Sequence, residues 1–129
     1  MIIALDTNAY VAFIRGEEAI YNNIKKADEI VMPFVVLGEL YYGFYNGNKS
    51  AKNIQILEEF IKDLDVTIVH SVDQTALIFG EISAELAAIG KPMQQNDVWI
   101  AAICKQYNYS LLTLDKGFSN ILGLRLLPL

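Results

Sequence analysis

The sequence predicts an α/β fold, a three-layer α/β/α sandwich on a mostly parallel central sheet. Short apolar runs alternate along the chain with longer segments whose apolar residues recur every three to four positions. The first of these runs is apolar throughout, the pattern of a strand covered on both faces. At 129 residues and 53% hydrophobic content the chain suits one compact domain, residues 1–129, and no repeat, low-complexity tract or linker divides it.

The first run, Ile2 to Leu5, is rich in branched side chains and ends at Asp6, Thr7 and Asn8, residue types that favour helix starts. Ile30 to Met32, Val66 to Val69, Leu111 to Leu114 and Leu124 to Leu127 supply the further strands. A helix starts near Pro33 and carries Glu39 within its first two turns. Ser50 to Leu64 is helical, with Ile54, Leu57, Phe60, Ile61 and Leu64 as its stripe. Val72 to Ile89 repeats Ala76, Phe79, Ile82, Leu86 and Ile89, with Ser71 or Asp73 as cap and Gly90 then Pro92 as stop. Asp97 opens a helix that runs through Ile103. In such folds ligands sit beyond the carboxyl ends of the strands, which directs attention to the polar residues that follow them.

Composition excludes several classes. Charge-free stretches such as residues 30–38 fall well short of the ~20 apolar residues of a membrane span. Asp6 interrupts the apolar start before a cleavable leader can form, so the expected location is the cytoplasm. One cysteine and one histidine cannot build a zinc site of soft ligands, and Cys104 reads as a buried small hydrophobe. His70 follows a strand, away from the polar motifs, and reads as structural. No Gly-rich dinucleotide turn, P-loop or Gly-x-Ser-x-Gly elbow is present.

The net charge of -5 argues at first against a nucleic-acid partner, but its meaning depends on where the acids sit. Eleven of the fifteen have ordinary polar surroundings. The other four are each the only charge in a long apolar stretch: Asp6 within 1–14, Glu39 within 30–48, Asp97 within 92–104 and Asp115 within 106–115. Taken singly, Asp6 and Asp97 fit helix caps and Asp115 fits a turn. A lone carboxylate in apolar surroundings is costly unless paired, protonated or metal-bound, and no basic residue lies inside these stretches. The economical common explanation is convergence on a shared divalent cation, and hard carboxylate oxygens suit Mg²⁺ or Mn²⁺. Setting the four aside leaves eleven acids against ten bases, and bound cations then make a phosphodiester substrate reasonable.

These residues resemble the PIN-domain ribonucleases, and among them the VapC-type toxins of bacterial and archaeal toxin–antitoxin pairs. The likeness rests on Leu5-Asp6-Thr7-Asn8, Leu37-Gly38-Glu39-Leu40-Tyr41-Tyr42-Gly43, Asn96-Asp97-Val98-Trp99-Ile100-Ala101-Ala102 preceded by Gly90-Lys91-Pro92-Met93, and Leu112-Thr113-Leu114-Asp115-Lys116-Gly117-Phe118. It implies a PIN-like fold and a Mg²⁺- or Mn²⁺-dependent endoribonuclease, the toxin of a type II pair. It further implies that Asp6, Glu39, Asp97 and Asp115 bind metal and carry catalysis, with Asn8 and Thr113 steadying the carboxylates. Many relatives have a polar residue where this chain has Leu114, which makes Asp115 the least typical member of the set. For Thr7 and Asn96, capping and local hydrogen bonds compete with a role in the site. Arg15, Lys49, Lys52, Lys91 and Lys116 flank the motifs and read as a solvated face or as RNA-backbone contacts.

Two other functions compete: a degenerate PIN domain that only binds protein, and a Mg²⁺-dependent phosphatase of the haloacid dehalogenase type. The phosphatase needs a second aspartate where this chain has Asn8. Four aromatics, Tyr41, Tyr42, Phe44 and Tyr45, crowd one helix and predict a surface covered by another chain. The resemblance suggests two covers, a second copy forming a homodimer and a VapB-type antitoxin.

Overall fold

The computed structural model describes residues 1–129. Five strands, β1 (Ile2–Leu5), β2 (Glu29–Pro33), β3 (Thr67–Val69), β4 (Ser110–Leu112) and β5 (Arg125–Leu126), form one sheet in the order β3-β2-β1-β4-β5. Every pairing is parallel. Six helices flank it: α1 (Thr7–Ile14), α2 (Glu18–Lys25), α3 (Phe34–Tyr45), α4 (Ser50–Asp63), α5 (Asp73–Ala88) and α6 (Gln95–Tyr107), followed by a 3₁₀ turn at Lys116–Asn120. This is the expected α/β sandwich.

The continuous apolar runs occupy the middle of the sheet, where both faces are covered. Ile3, Ala4 and Leu5 of β1 and Leu111 and Leu112 of β4 are fully buried. The edge strands β3 and β5, three and two residues long, are partly exposed, so their sequences carry weaker signals. α6 buries Val98 and Ile100 to Cys104, an almost unbroken apolar block that fits a helix packed between β4 and α5. Phe118 on the 3₁₀ turn is also fully buried, and such burial contributes about 1.5–3 kcal/mol toward pinning the segment that follows Asp115.

Several boundaries differ from expectation for identifiable reasons. Helix α2 falls in a segment that reads as charged surface, yet Ile20 and Ile24, one turn apart, are both buried. Neither Ser71 nor Asp73 caps α5; Val72 holds the N-cap position and its N–H donates to Thr75 Oγ1 at 3.0 Å. The stop is as expected, with Gly90 at φ 70° and the N–H of Lys91 donating to the Leu86 carbonyl at 2.9 Å. α6 begins at Gln95, so Asp97 lies inside its first turn. β4 ends at Leu112, leaving Leu114 45% exposed beyond the strand. α3 buries only Val36 and Leu40, so despite its apolar composition it presents a wide open face. No helix is long and apolar enough to cross a membrane.

Candidate active site

Parallel pairing brings the candidate residues to one edge of the sheet. Leu5 of β1 stands opposite Leu112 of β4, so the residues that follow, Asp6 and Thr113, leave the sheet side by side. Asp6 is buried and caps α1: its Oδ1 accepts from the Ala9 N–H at 2.9 Å, and its Oδ2 accepts from the Thr113 hydroxyl. The Thr113 oxygen accepts in turn from the N–H of Asp115 at 3.0 Å. Asp115 Oδ1 takes the Gly117 N–H at 2.8 Å, which makes it the turn former that its local sequence suggests. Capping and convergence are therefore not alternatives for Asp6 and Asp115.

Glu39 arrives from the other side of β1, on the second turn of α3 after β2. The Thr7 hydroxyl donates to Glu39 Oε1 at 2.7 Å, tying the start of α1 to α3. Asp97 comes from the first turn of α6, where the helix dipole favours negative charge, and has no hydrogen-bonding partner for its carboxylate. All four carboxylates line a single cleft of about 480 Å³ whose walls include Asn8, Met93 and Gly117 but no lysine or arginine. The chain's one ion pair lies elsewhere, between the N-terminal amine and Asp28.

The steadying contacts fall to Thr113 and Thr7. Asn8, expected to share that work, lines the cleft while exposed and hydrogen-bonds none of the carboxylates. Thr7 carried an ambiguous sequence signal, because its partner lies 32 residues away. Asn96 lines a neighbouring cavity rather than the cleft. His70 is exposed after β3, its ring 5.1 Å from that of Phe34, and Cys104 is buried on α6 as expected.

Unpaired acids at close quarters resist ionisation. Burial raises the Asp6 carboxyl above its ordinary range, against the lowering effect of the Thr113 and Ala9 hydrogen bonds, and the charges of Asp115 and Glu39 add to the rise. Asp97 is pushed up to about 6 by burial first and then by the charges of Asp115, Glu39 and Asp6. No three of the chain's His, Cys, Asp and Glu side chains stand close enough to grip an ion without movement. The donor set still fits Mg²⁺ or Mn²⁺, which take one or two carboxylates directly and keep water for the remaining positions.

A sheet of this order with this acidic edge defines a class. The PIN-domain family model matches residues 3–123, and the chain belongs to that family. Within it the chain is 32% identical over 124 residues to Ribonuclease VapC2 of Haemophilus influenzae, covering 94% of this chain and 92% of that one. Among solved structures it is similar to VapBC2 from Rickettsia felis bound to a DNA fragment from its promoter, with TM-score 0.87, 30% identity and 98% of each chain covered. It is also similar to VapBC-1 from nontypeable Haemophilus influenzae, with TM-score 0.88, 26% identity, and 98% of this chain and 97% of that chain covered.

Proposed function

We propose that this chain is a metal-dependent endoribonuclease and the toxin of a type II toxin–antitoxin pair, held inactive by a VapB-type antitoxin. The observation that carries the reading is the set of four carboxylates, Asp6, Glu39, Asp97 and Asp115, on one cleft without a basic partner. The VapC ribonuclease relatives and the VapBC complexes support the substrate and the partner. A domain that only bound protein would gain nothing from keeping this repelling cluster.

Hydrolysis of an RNA phosphodiester adds water across a P–O bond, with the hydroxyl going to phosphorus and the proton to the leaving ribose oxygen. When bound by the four carboxylates, Mg²⁺ or Mn²⁺ supplies positive charge at the phosphate and an acidified water. The chain's own residues prepare the site. Thr113 and the Ala9 N–H hold both oxygens of Asp6, Thr7 fixes Glu39, and the Gly117 N–H fixes Asp115. Asp97, free of such restraint, is the carboxylate that can swing toward an arriving ion, and it must lose its proton to ligate.

The test is RNA cleavage by the purified chain with Mn²⁺ or Mg²⁺, alone and mixed with the antitoxin-like product of the adjacent gene. Cleavage that the antitoxin suppresses is expected. Intact RNA after incubation with the metal-supplemented wild type overturns the reading.

A further inference from the structure

The largest cavity of the chain, about 790 Å³, adjoins the acidic cleft and shares Thr7 and Glu39 with it. Its character is different. Phe34, Tyr42 and Trp99 supply aromatic walls, Ser71 and Asn96 supply polar side chains, and Glu39 is its one ionisable acid. Trp99 is half-buried, and Phe79 stacks on it with ring centres 4.0 Å apart and planes at 23°. One face of the indole is thereby braced, and Trp99 still lines the cavity. Phe34 and Tyr42 are 56% and 73% exposed, large apolar surface that the chain itself does not cover.

We propose that this cavity holds one unstacked base of the RNA substrate, with Trp99 as the stacking platform and Asn96 and Ser71 facing the base edge. The inference rests on the ribonuclease reading and deepens it. A base is joined to its own phosphate by a single sugar, and the two cavities share a wall. A nucleotide whose phosphate lies at the carboxylates therefore has this cavity within reach. Proteins that select single-stranded RNA splay bases out onto aromatic side chains and read their edges with polar groups, which is the combination found here. Continuity with the carboxylates, and polar side chains among the aromatic ones, favour a nucleotide over a protein surface as the occupant.

Trp99 is the only tryptophan of the chain, so its emission reports on the platform directly. A short single-stranded RNA oligonucleotide is titrated into the wild type with Ca²⁺ replacing Mg²⁺, and a gel confirms that the RNA stays intact. Saturable quenching of Trp99 is expected. Gly38 lines the cavity, and a Cβ there would meet nothing within 4 Å, so Gly38→Leu fills the space without a backbone clash. Gly38→Leu should abolish the quenching. In cleavage assays Gly38→Leu and Tyr42→Ala should each raise KM for RNA roughly tenfold, with a smaller effect on kcat.

Each contrary result has its own meaning. Cleavage by the wild type without quenching, or with KM unmoved in both variants, overturns the base site and leaves the ribonuclease reading standing. If Tyr42→Ala converts a dimer to a monomer in sedimentation while KM per subunit stays constant, a second copy covers the cavity and the proposal fails. Absence of any RNA cleavage by the wild type overturns the parent reading.

Discussion

Thr113 and Asp6, 107 positions apart in the chain, are joined by a hydrogen bond from the Thr113 hydroxyl to Asp6 Oδ2. The pairing of Leu5 with Leu112 makes the contact unavoidable, because the next residues of two adjacent parallel strands emerge together. The same hydroxyl accepts from the Asp115 N–H, so a single side chain organises two of the four carboxylates. Thr113→Val keeps the shape and removes the donor. Metal affinity and RNA cleavage should fall about 10- to 100-fold, at a stability cost of roughly 1 kcal/mol, and Thr113→Ser should restore most of both. Wild-type cleavage by Thr113→Val would show that Asp6 needs no such support.

Asp6→Asn and Asp97→Asn should each abolish metal-dependent cleavage while the fold survives. In Asp6→Asn the side-chain amide oxygen can still accept from the Ala9 N–H, and the amide NH₂ group can donate to the Thr113 oxygen, so the cap persists without the charge. Gel assays on protein free of contaminating nuclease, together with circular dichroism, check both halves of the expectation.

The metal-free protein should lose stability as pH rises through about 6. Asp97 has a folded-state pKa raised from 3.8 to about 6, so the folded state binds its proton more tightly than the unfolded chain does. That contribution is complete below about pH 4 and gone above about pH 6. After allowance for solvent screening at a half-buried group, about 1 kcal/mol is at stake. Asp97→Asn should raise the metal-free Tm at pH 7.5 by about 4 °C and flatten its dependence on pH. A wild-type Tm that climbs steadily between pH 4 and pH 7 would contradict this assignment.

Activity should require Mg²⁺ or Mn²⁺, vanish in EDTA, and not return with Ca²⁺, whose larger and looser coordination suits in-line displacement poorly. Below about pH 6 it should also weaken, because a protonated Asp97 cannot ligate. Cleavage that persists in excess EDTA would require a metal-free mechanism.

The crowded aromatics of α3 do not form one surface. Tyr42 enters the cavity beside Trp99, Phe44 lines a separate groove with Tyr10 and Ile14, and Tyr45 projects 69% exposed near the end of the helix. Tyr45→Asp should therefore weaken self-association or antitoxin binding without touching the carboxylates. Sedimentation and antitoxin pull-down check it, and equal behaviour of both forms in both assays would remove Tyr45 from any interface.

The sequence by itself determined the class of fold and the identity of the four acids. A four-residue apolar run rich in branched side chains and closed by helix-starting residues, as at Ile2 to Leu5, reads as a strand covered on both faces, and helical periodicity is written in neighbouring residues. A charge alone in an apolar stretch is visible without coordinates. The tertiary structure decided what depends on contacts between distant segments. Strand order put Thr113 against Asp6, and the approach of α1 to α3 put Thr7 on Glu39. Only packing revealed that α3, apolar almost throughout, leaves one face open to a cavity beside Trp99. Local patterns fix which side chains share a face of their own element, and neighbours from elsewhere in the chain fix what that face meets.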